Sequence, residues 1–206
     1  MLHFCSDCRV EHLFIFGNMK STDLDKKRWG VLIASSLINL CIGSIYAWSV
    51  FAGPLAAKLT SLLGTTFTAA DLAIVFTVAN SIGPVTMIAG GFVTDRLGGP
   101  RAVILTGGIM FGAGILLTGF AGTLGQIILT YSLLSGFGLG MAYGCTINNT
   151  VKFFPDKRGL VGGIATATYG LSSVLIPPVA NALNNSVGVS KSFIILGVAF
   201  LVIIVL

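Results

Sequence analysis

Residues 72–120 place two long uncharged stretches on either side of a short charged one: LAIVFTVANSIGPVTMIAGGFV (72–93), TDRLGGPR (94–101) and AVILTGGIMFGAGILLTGF (102–120). An α-helix rises about 1.5 Å per residue, so each uncharged stretch crosses a hydrocarbon core of roughly 30 Å with modest tilt. The segment therefore predicts two transmembrane helices joined by a tight charged loop.

The rest of the chain repeats this pattern, because 29–57, 102–151 and 159–190 also contain no Lys, Arg, Asp or Glu. Hydrophobic residues make up 54% of the 206 residues and charged residues 9%, against about 25% charged in an ordinary soluble domain. These proportions exclude a soluble globular protein and a disordered chain. The net charge of +5 does not indicate nucleic-acid binding, because the charges are confined to loops and the N-terminal tail. The composition predicts an all-α membrane protein embedded in a lipid bilayer.

We predict six transmembrane helices within a bundle of residues 29–206, preceded by a cytoplasmic tail of residues 1–28. Their predicted bounds are Trp29–Phe51, Ala70–Val93, Ala102–Phe120, Leu124–Asn149, Leu160–Leu183 and Ser190–Leu206. In the tail, Met19 precedes a short charged stretch and the first span, which favours it as the natural start and places residues 1–18 outside the native coding sequence.

The Lys and Arg residues predict the orientation, since cytoplasmic loops carry an excess of these cations. With the N-terminus inside, the cytoplasmic side holds Arg9, Lys20, Lys26, Lys27, Arg28, Arg96, Arg101, Lys152, Lys157 and Arg158. The outer side then holds only Lys58 and Lys191. This bias predicts a multi-pass protein of the cell membrane with both termini in the cytoplasm.

Small residues and prolines predict how the helices pack. Glycines four residues apart let helix backbones approach closely within a membrane. Such rows are Gly136/Gly140/Gly144, Gly108/Gly112 and Gly159/Gly163. Pro84 and the pair Pro177–Pro178 are expected to interrupt the second and fifth spans. Thr68 and Asp71 have the spacing of a capping box before the second span.

Four aromatic residues are candidates for a cavity. Tyr169 lies 11 residues past Arg158, about 16 Å along the fifth span and near the bilayer midplane, where its hydroxyl needs a polar partner. Position alone leaves Tyr46, Trp48 and Tyr143 open between cavity lining and packing.

The positions of other polar and aromatic side chains along the spans also predict their roles. Tyr131 and Trp29 are predicted to belong to the interfacial aromatic belt. Five further residues are predicted to line the same cavity or to join helices by hydrogen bonds: Asn80, Asn148, Asn149, Thr166 and Thr168.

The N-terminal tail contains a Cys-x2-Cys pair flanked by two histidines: His3, Cys5, Cys8 and His12. Such residues can bind zinc, but a lone ten-residue cluster has no second half to fold around the metal. We therefore predict no metal site and no cofactor. Cys41 and Cys145 lie inside predicted helices and are interpreted as packing residues.

The loop after the second span places Asp95 directly before Arg96 at the membrane edge, where the acid can meet a helix N-terminus or a neighbouring cation. The loop resembles the G-x-x-x-D-R-x-G signature of the major facilitator superfamily. Gly91, Asp95, Arg96 and Gly98 match this signature, and Arg101 supplies the distal base.

Three further segments resemble the oxalate/formate antiporter family of that superfamily: Gly43–Phe51, Tyr143–Asn149 and the FFPDKRGL stretch of 153–160. The resemblance covers about residues 27–200. It implies the N-terminal six-helix bundle of a twelve-helix fold, built as a 3+3 inverted repeat. The missing C-terminal six-helix half is then an expected partner.

The resemblance also implies a function. It implies a secondary active transporter that moves small mono- or dicarboxylates such as oxalate, formate, lactate or pyruvate by alternating access, as an antiporter. Tyr46, Tyr143 and Tyr169 match substrate-cavity positions of the family, and Trp48 falls in the same first-helix segment. Ile45 replaces a polar residue found in some members, which weighs against oxalate. The loop residues Gly91, Asp95, Arg96, Gly98 and Arg101 would act as a conformational switch.

Two alternatives belong to other classes. An intramembrane protease needs a nucleophilic Ser in a G-x-S-G context and a membrane-embedded His. Leu133 and Leu134 precede Ser135, and the only histidines are His3 and His12, so the chain is not predicted to be an enzyme. A non-transporting six-helix fragment or regulatory half is compatible with the sequence.

Overall fold

The structure, a computed structural model, describes residues 21–97 and 99–205, with side chains from residue 27 onward except those of Asp95 and Leu97. This part of the chain forms six helices, as predicted. Their bounds are α1 (Ser21–Ile42, a 3-10 segment Gly43–Ala47, and Trp48–Leu63), α2 (Ala73–Leu97), α3 (Pro100–Thr118), α4 (Leu124–Ile127, a π-helical segment Ile128–Ser135, and Gly136–Phe153), α5 (Arg158–Val187) and α6 (Val189–Val205).

Helices α1 to α5 are each long and apolar enough to cross a membrane. With 17 residues, α6 is shorter, about 26 Å at the usual rise. Helices are what a lipid environment demands, because every backbone polar group must find its partner within the segment.

Several helix ends differ from the predicted bounds. The largest difference is in α1, which continues past Phe51 to Leu63 and so carries Lys58 on a helix and not in a loop. The Lys58 ammonium donates to the Ala121 carbonyl oxygen at 2.8 Å, which ties the end of α1 to the turn between α3 and α4. Gly64 then ends the helix with a left-handed φ of 68°, where a Cβ would be strained.

The predicted capping box is present, although α2 begins two residues after it, at Ala73. The Thr68 amide donates to Asp71 Oδ2 at 2.8 Å, and the Asp71 amide donates to Thr68 Oγ1 at 3.4 Å. The hydrogen bonds from Thr68 hold the pKa of this exposed carboxyl below its ordinary value, because they stabilise the charged form.

The glycine rows of α3 and α4 pack as predicted. A Cβ on Gly140 would meet Gly83 and Thr86 of α2, and one on Gly112 would lie 2.7 Å from Leu201 Cγ of α6. Gly159 and Gly163 do not pack as predicted within this bundle, since no atom of the described residues lies within 4 Å of a Cβ built at either position. The prolines do not break their helices either, because α2 runs through Pro84 and α5 runs through Pro177 and Pro178.

Side-chain contacts hold the two ends of α1 to different parts of the bundle. At one end, Arg28 pairs with Asp156 at 3.8 Å, and the Trp29 ring packs edge-on against Phe154. At the other end, Lys58 binds the α3–α4 turn. The start of α1 and the α4–α5 loop therefore share one end of the bundle, as the predicted topology requires.

Candidate aromatic site of the bundle

Four aromatic rings from four helices form a continuous arc on the bundle. Tyr46 of α1 lies at a ring-centroid distance of 5.4 Å from Tyr169 of α5, and Tyr169 lies 4.6 Å from Tyr143 of α4. Tyr46 also lies 6.3 Å from Phe76 of α2. We call Phe76, Tyr46, Tyr169 and Tyr143 the aromatic arc. The structure thus brings together the three tyrosines that the sequence singled out, and it adds Phe76, which the sequence reading missed.

The 3-10 segment of α1 presents Tyr46 to this arc. Within it, Ile45 is fully buried in the bundle core, whereas 41% of Tyr46 remains exposed. The Ile45 carbonyl oxygen accepts a hydrogen bond of 3.3 Å from the Tyr131 hydroxyl. Ile45 points into the core, so its apolar side chain does not line the arc, and the expectation against oxalate stays a prediction.

Helix α5 carries Tyr169 and is held against α1 by two residues that sequence reasoning missed. The buried Asn39 side chain donates through Nδ2 to the Ala165 carbonyl oxygen at 3.1 Å, one turn before Tyr169. One turn further along α1, a Cβ on Gly43 would meet the Tyr169 carbonyl oxygen and would lie 2.8 Å from Ser172 Cβ. The signal for Asn39 was present in the sequence, since a polar amide in an uncharged span demands a partner.

Trp48 lies apart from the arc. Its ring packs at 4.5 Å from Tyr131, and only 5% of the residue is exposed. The indole Nε1 is buried with no hydrogen-bond partner among the described residues. Trp48 is therefore a core residue in this structure and does not belong to the aromatic arc.

Tyr131 is also a core residue. Only 1% of it is exposed, so its predicted place in an interfacial belt is wrong. The sequence pattern placed it near a helix end but did not reveal that a neighbouring helix covers it.

The other polar candidates bond mainly to their own helices. Asn80 Nδ2 donates to the Phe76 carbonyl oxygen at 3.1 Å, and Thr166 Oγ1 donates to that of Gly162 at 2.9 Å. Thr168 bonds to the carbonyls of the preceding turn in the same way. These four hydrogen bonds stay within single helices and do not join helices. Asn148 is exposed and Asn149 is half-buried.

Most of the segment predicted as the signature loop is helical in the structure, because α2 continues to Leu97 and α3 begins at Pro100. Gly91, Asp95 and Arg96 belong to the last turns of α2, and Arg101 belongs to the first turn of α3. Both arginines are exposed. Gly98 and the Asp95 side chain lie outside the described residues, so the switch role stays a prediction. Thr94 Oγ1 contacts Cys145 Sγ at 3.1 Å, which holds this end of α2 against α4.

Within residues 27–205, apart from the masked positions, no three His, Cys, Asp or Glu side chains group closely enough to hold a metal ion. Cys41 and Cys145 are buried and free. The cluster of His3, Cys5, Cys8 and His12 lies outside the described residues.

Comparison with known proteins identifies relatives along nearly the whole chain. A sequence profile of the Major Facilitator Superfamily matches residues 25–206. "Uncharacterized MFS-type transporter YhjX" of Escherichia coli (strain K12) is 31% identical over 188 residues, which is 91% of this chain and 45% of that protein. "Oxalate:formate antiporter" of Oxalobacter formigenes is also 31% identical over 188 residues, or 91% of this chain and 43% of that protein.

A shorter match joins the chain to a third relative. "Monocarboxylate transporter 2" of Rattus norvegicus is 32% identical over 125 residues, 59% of this chain and 26% of that protein. The chain spans less than half the length of each of these three relatives.

Proposed function

The chain belongs to the major facilitator superfamily, a family of membrane transporters and not of enzymes, and from this membership we propose that it forms one bundle of a secondary transporter for small carboxylates. One observation carries the proposal: α1, α4 and α5 bring three phenol groups to one arc. Tyr46, Tyr169 and Tyr143 form the proposed substrate site.

The chemistry of phenols suits a carboxylate. A phenol hydroxyl donates a hydrogen bond, and a bond to an ionised acceptor is about twice as strong as a neutral one. Tyr169 lies 11 residues after Arg158, the first residue of α5, which places it about 16 Å along the helix. An anion at this depth has lost bulk water, so donors fixed in place replace part of its hydration.

Neutral donors do not supply the charge that an anion requires in a low-dielectric site. Lys58 is a cation on α1, but it lies 12 residues beyond Tyr46, about 18 Å along the helix, and binds the α3–α4 turn. We therefore propose that a second six-helix bundle places at least one Lys or Arg opposite the tyrosines.

The proposed mechanism is alternating access, in which the two bundles rock around the bound carboxylate and exchange it for another. The N- and C-termini face the cytoplasm, as the Lys and Arg distribution predicts. The switch residues Gly91, Asp95, Arg96, Gly98 and Arg101 bias one conformation over the other.

Ligand-observed NMR on the chain joined to a second six-helix bundle and purified in lipid nanodiscs, with millimolar lactate, tests the proposed site. Tyr169→Phe removes one hydroxyl and is expected to raise the lactate dissociation constant about tenfold. This is the effect of losing a hydrogen bond to a charged group worth about 1.5 kcal/mol. Thermal stability should change little.

Tyr131→Phe is the matched control, since this buried tyrosine lies off the arc. It should leave lactate affinity unchanged and lower stability by about 1 kcal/mol through loss of its bond to Ile45. A destabilised Tyr169→Phe protein with unaltered affinity would assign Tyr169 a structural role and refute the proposal.

A further inference from the structure

The aromatic arc changes polarity along its length. Its α1, α5 and α4 positions each carry a phenol hydroxyl, whereas its α2 position is the phenyl ring of Phe76. Phe76 is half-buried and packs against the core, and its ring is tilted by 57° to that of Tyr46. A ligand seated on the arc therefore meets hydrogen-bond donors at one end and an apolar surface at the other.

The polar side chain nearest to Phe76 along α2 bonds to its own helix. Asn80 lies one turn along from Phe76, and its Nδ2 donates to the Phe76 carbonyl oxygen at 3.1 Å. This bond keeps the Asn80 amide group against its own backbone.

On the basis of the proposed function, we infer that Phe76 is a specificity residue that selects monocarboxylates with a short apolar tail over dicarboxylates. A single carboxylate can bind the phenols while its apolar tail packs against the phenyl ring. A dicarboxylate such as oxalate would place its second carboxylate against that apolar ring, which offers no hydrogen-bond donor to replace the lost water. A desolvated carboxylate without a donor is strongly disfavoured, and sites discriminate most sharply when a buried polar group is left unpaired.

The experiment measures the ratio of oxalate to lactate dissociation constants for the chain joined to a second six-helix bundle in nanodiscs. The lactate methyl signal reports binding directly, and oxalate, which has no carbon-bound hydrogen, acts as a silent competitor. We expect the unsubstituted chain to bind lactate at least about tenfold more tightly than oxalate.

Phe76→Tyr adds one hydroxyl at nearly constant shape and should narrow this ratio about tenfold. Phe76→Gln is a second polar variant and should move the ratio in the same direction. Phe76→Leu keeps the end of the arc apolar and should leave the ratio unchanged, which makes it the matched control. The thermal midpoint of each variant identifies any protein that does not fold.

The outcomes separate this inference from the proposed function. If lactate binds and Tyr169→Phe weakens it, while neither polar variant at Phe76 moves the ratio, the specificity role of Phe76 is wrong and the carboxylate site stands. Tighter binding of oxalate than of lactate to the unsubstituted chain would also overturn the role of Phe76. If lactate gives no saturable signal with the unsubstituted chain joined to a second six-helix bundle, the proposed function itself fails.

Discussion

Replacing Gly43 by alanine tests whether close contact between α1 and α5 sets the geometry of the aromatic arc. The added Cβ would lie 2.8 Å from Ser172 Cβ, about 0.7 Å short of the ~3.5 Å at which carbon atoms pack. It would also meet the Tyr169 carbonyl oxygen, and a backbone atom cannot rotate away as a flexible side chain can. The substitution therefore has to push α5 away from α1 at the residue that carries the central phenol.

The expected cost follows from two opposing terms. Overpacking of this kind costs about 1–3 kcal/mol, whereas alanine in a helix is favoured over glycine by about 0.5–1 kcal/mol. Gly53→Ala on the same helix is the matched control, because a Cβ at that position has no atom of the described part of the chain within 4 Å. The helix-propensity term is shared, so the two variants should differ in unfolding free energy by the overpacking cost alone.

Unfolding of both variants in the same detergent, followed by circular dichroism, measures this difference. We expect Gly43→Ala to unfold at lower denaturant than the original chain and Gly53→Ala to unfold at equal or higher denaturant. If the two variants are equally stable, α1 and α5 do not pack as tightly as the structure shows, and the placement of Tyr169 against Tyr46 fails with it.

Four other predictions follow from the charged residues and the topology. In the chain joined to a second six-helix bundle, Asp95→Asn should slow carboxylate exchange about tenfold or more, because it shifts the conformational equilibrium by at least about 1.4 kcal/mol. Asp71→Asn is the control, and exchange by Asp95→Asn at the parental rate would exclude a switch role. The Thr68 hydrogen bonds lower the pKa of Asp71, so they stabilise the folded state fully when the pH is above 3.8, the ordinary pKa of this carboxyl. This contribution to stability should be lost as the pH falls below that value and the carboxylate becomes protonated. Urea titrations between neutral and acidic pH should show this loss in the original chain and a flatter profile in Asp71→Asn. In a cysteine-free chain, an impermeant thiol reagent added to intact cells should label a cysteine introduced at Thr123 and should not label one introduced at Gly98. The reverse pattern would overturn the predicted orientation. Residues 19–206 reconstituted alone should show no saturable carboxylate exchange, and uptake dependent on internal lactate would contradict the need for a second bundle.

The sequence predicted the six helices because membrane burial leaves few choices. An uncharged stretch of about 20 residues can satisfy its backbone in lipid only as a helix, so the existence of each element follows from hydropathy. The Thr68–Asp71 box and the Gly136/Gly140/Gly144 row depend on spacing within one segment, and both are present in the structure. The grouping of Tyr46, Tyr143 and Tyr169 came from family resemblance, because no local pattern relates three separate helices.

Features that depend on contacts between helices could not be predicted in this way. The extension of α1 to Leu63 involves a lysine whose partner is a carbonyl 63 residues away. Tyr131 was assigned to the interface from its depth, but the helices around it cover it in the structure. Phe76 looked like any apolar residue of its span, and only the fold shows that its ring touches Tyr46.

In the proposed transporter, the phenols and the cation lie on different bundles, which explains why the described spans place tyrosines at the site and no cation beside them. A lysine or arginine held at the depth of Tyr169 would be costly whenever the site was empty, because an unpaired charge there has no water to solvate it. Neutral hydroxyls avoid that cost but bind an anion weakly. If the cation lies on the opposite bundle, the carboxylate pairs with both only when the bundles approach each other. Substrate binding then favours the closed conformation. The free-energy difference comes from the contacts with the second bundle, which the substrate makes only in that conformation. The exposed side of Tyr46 is where such an approach is expected, so the site would be completed by the same movement that encloses the substrate.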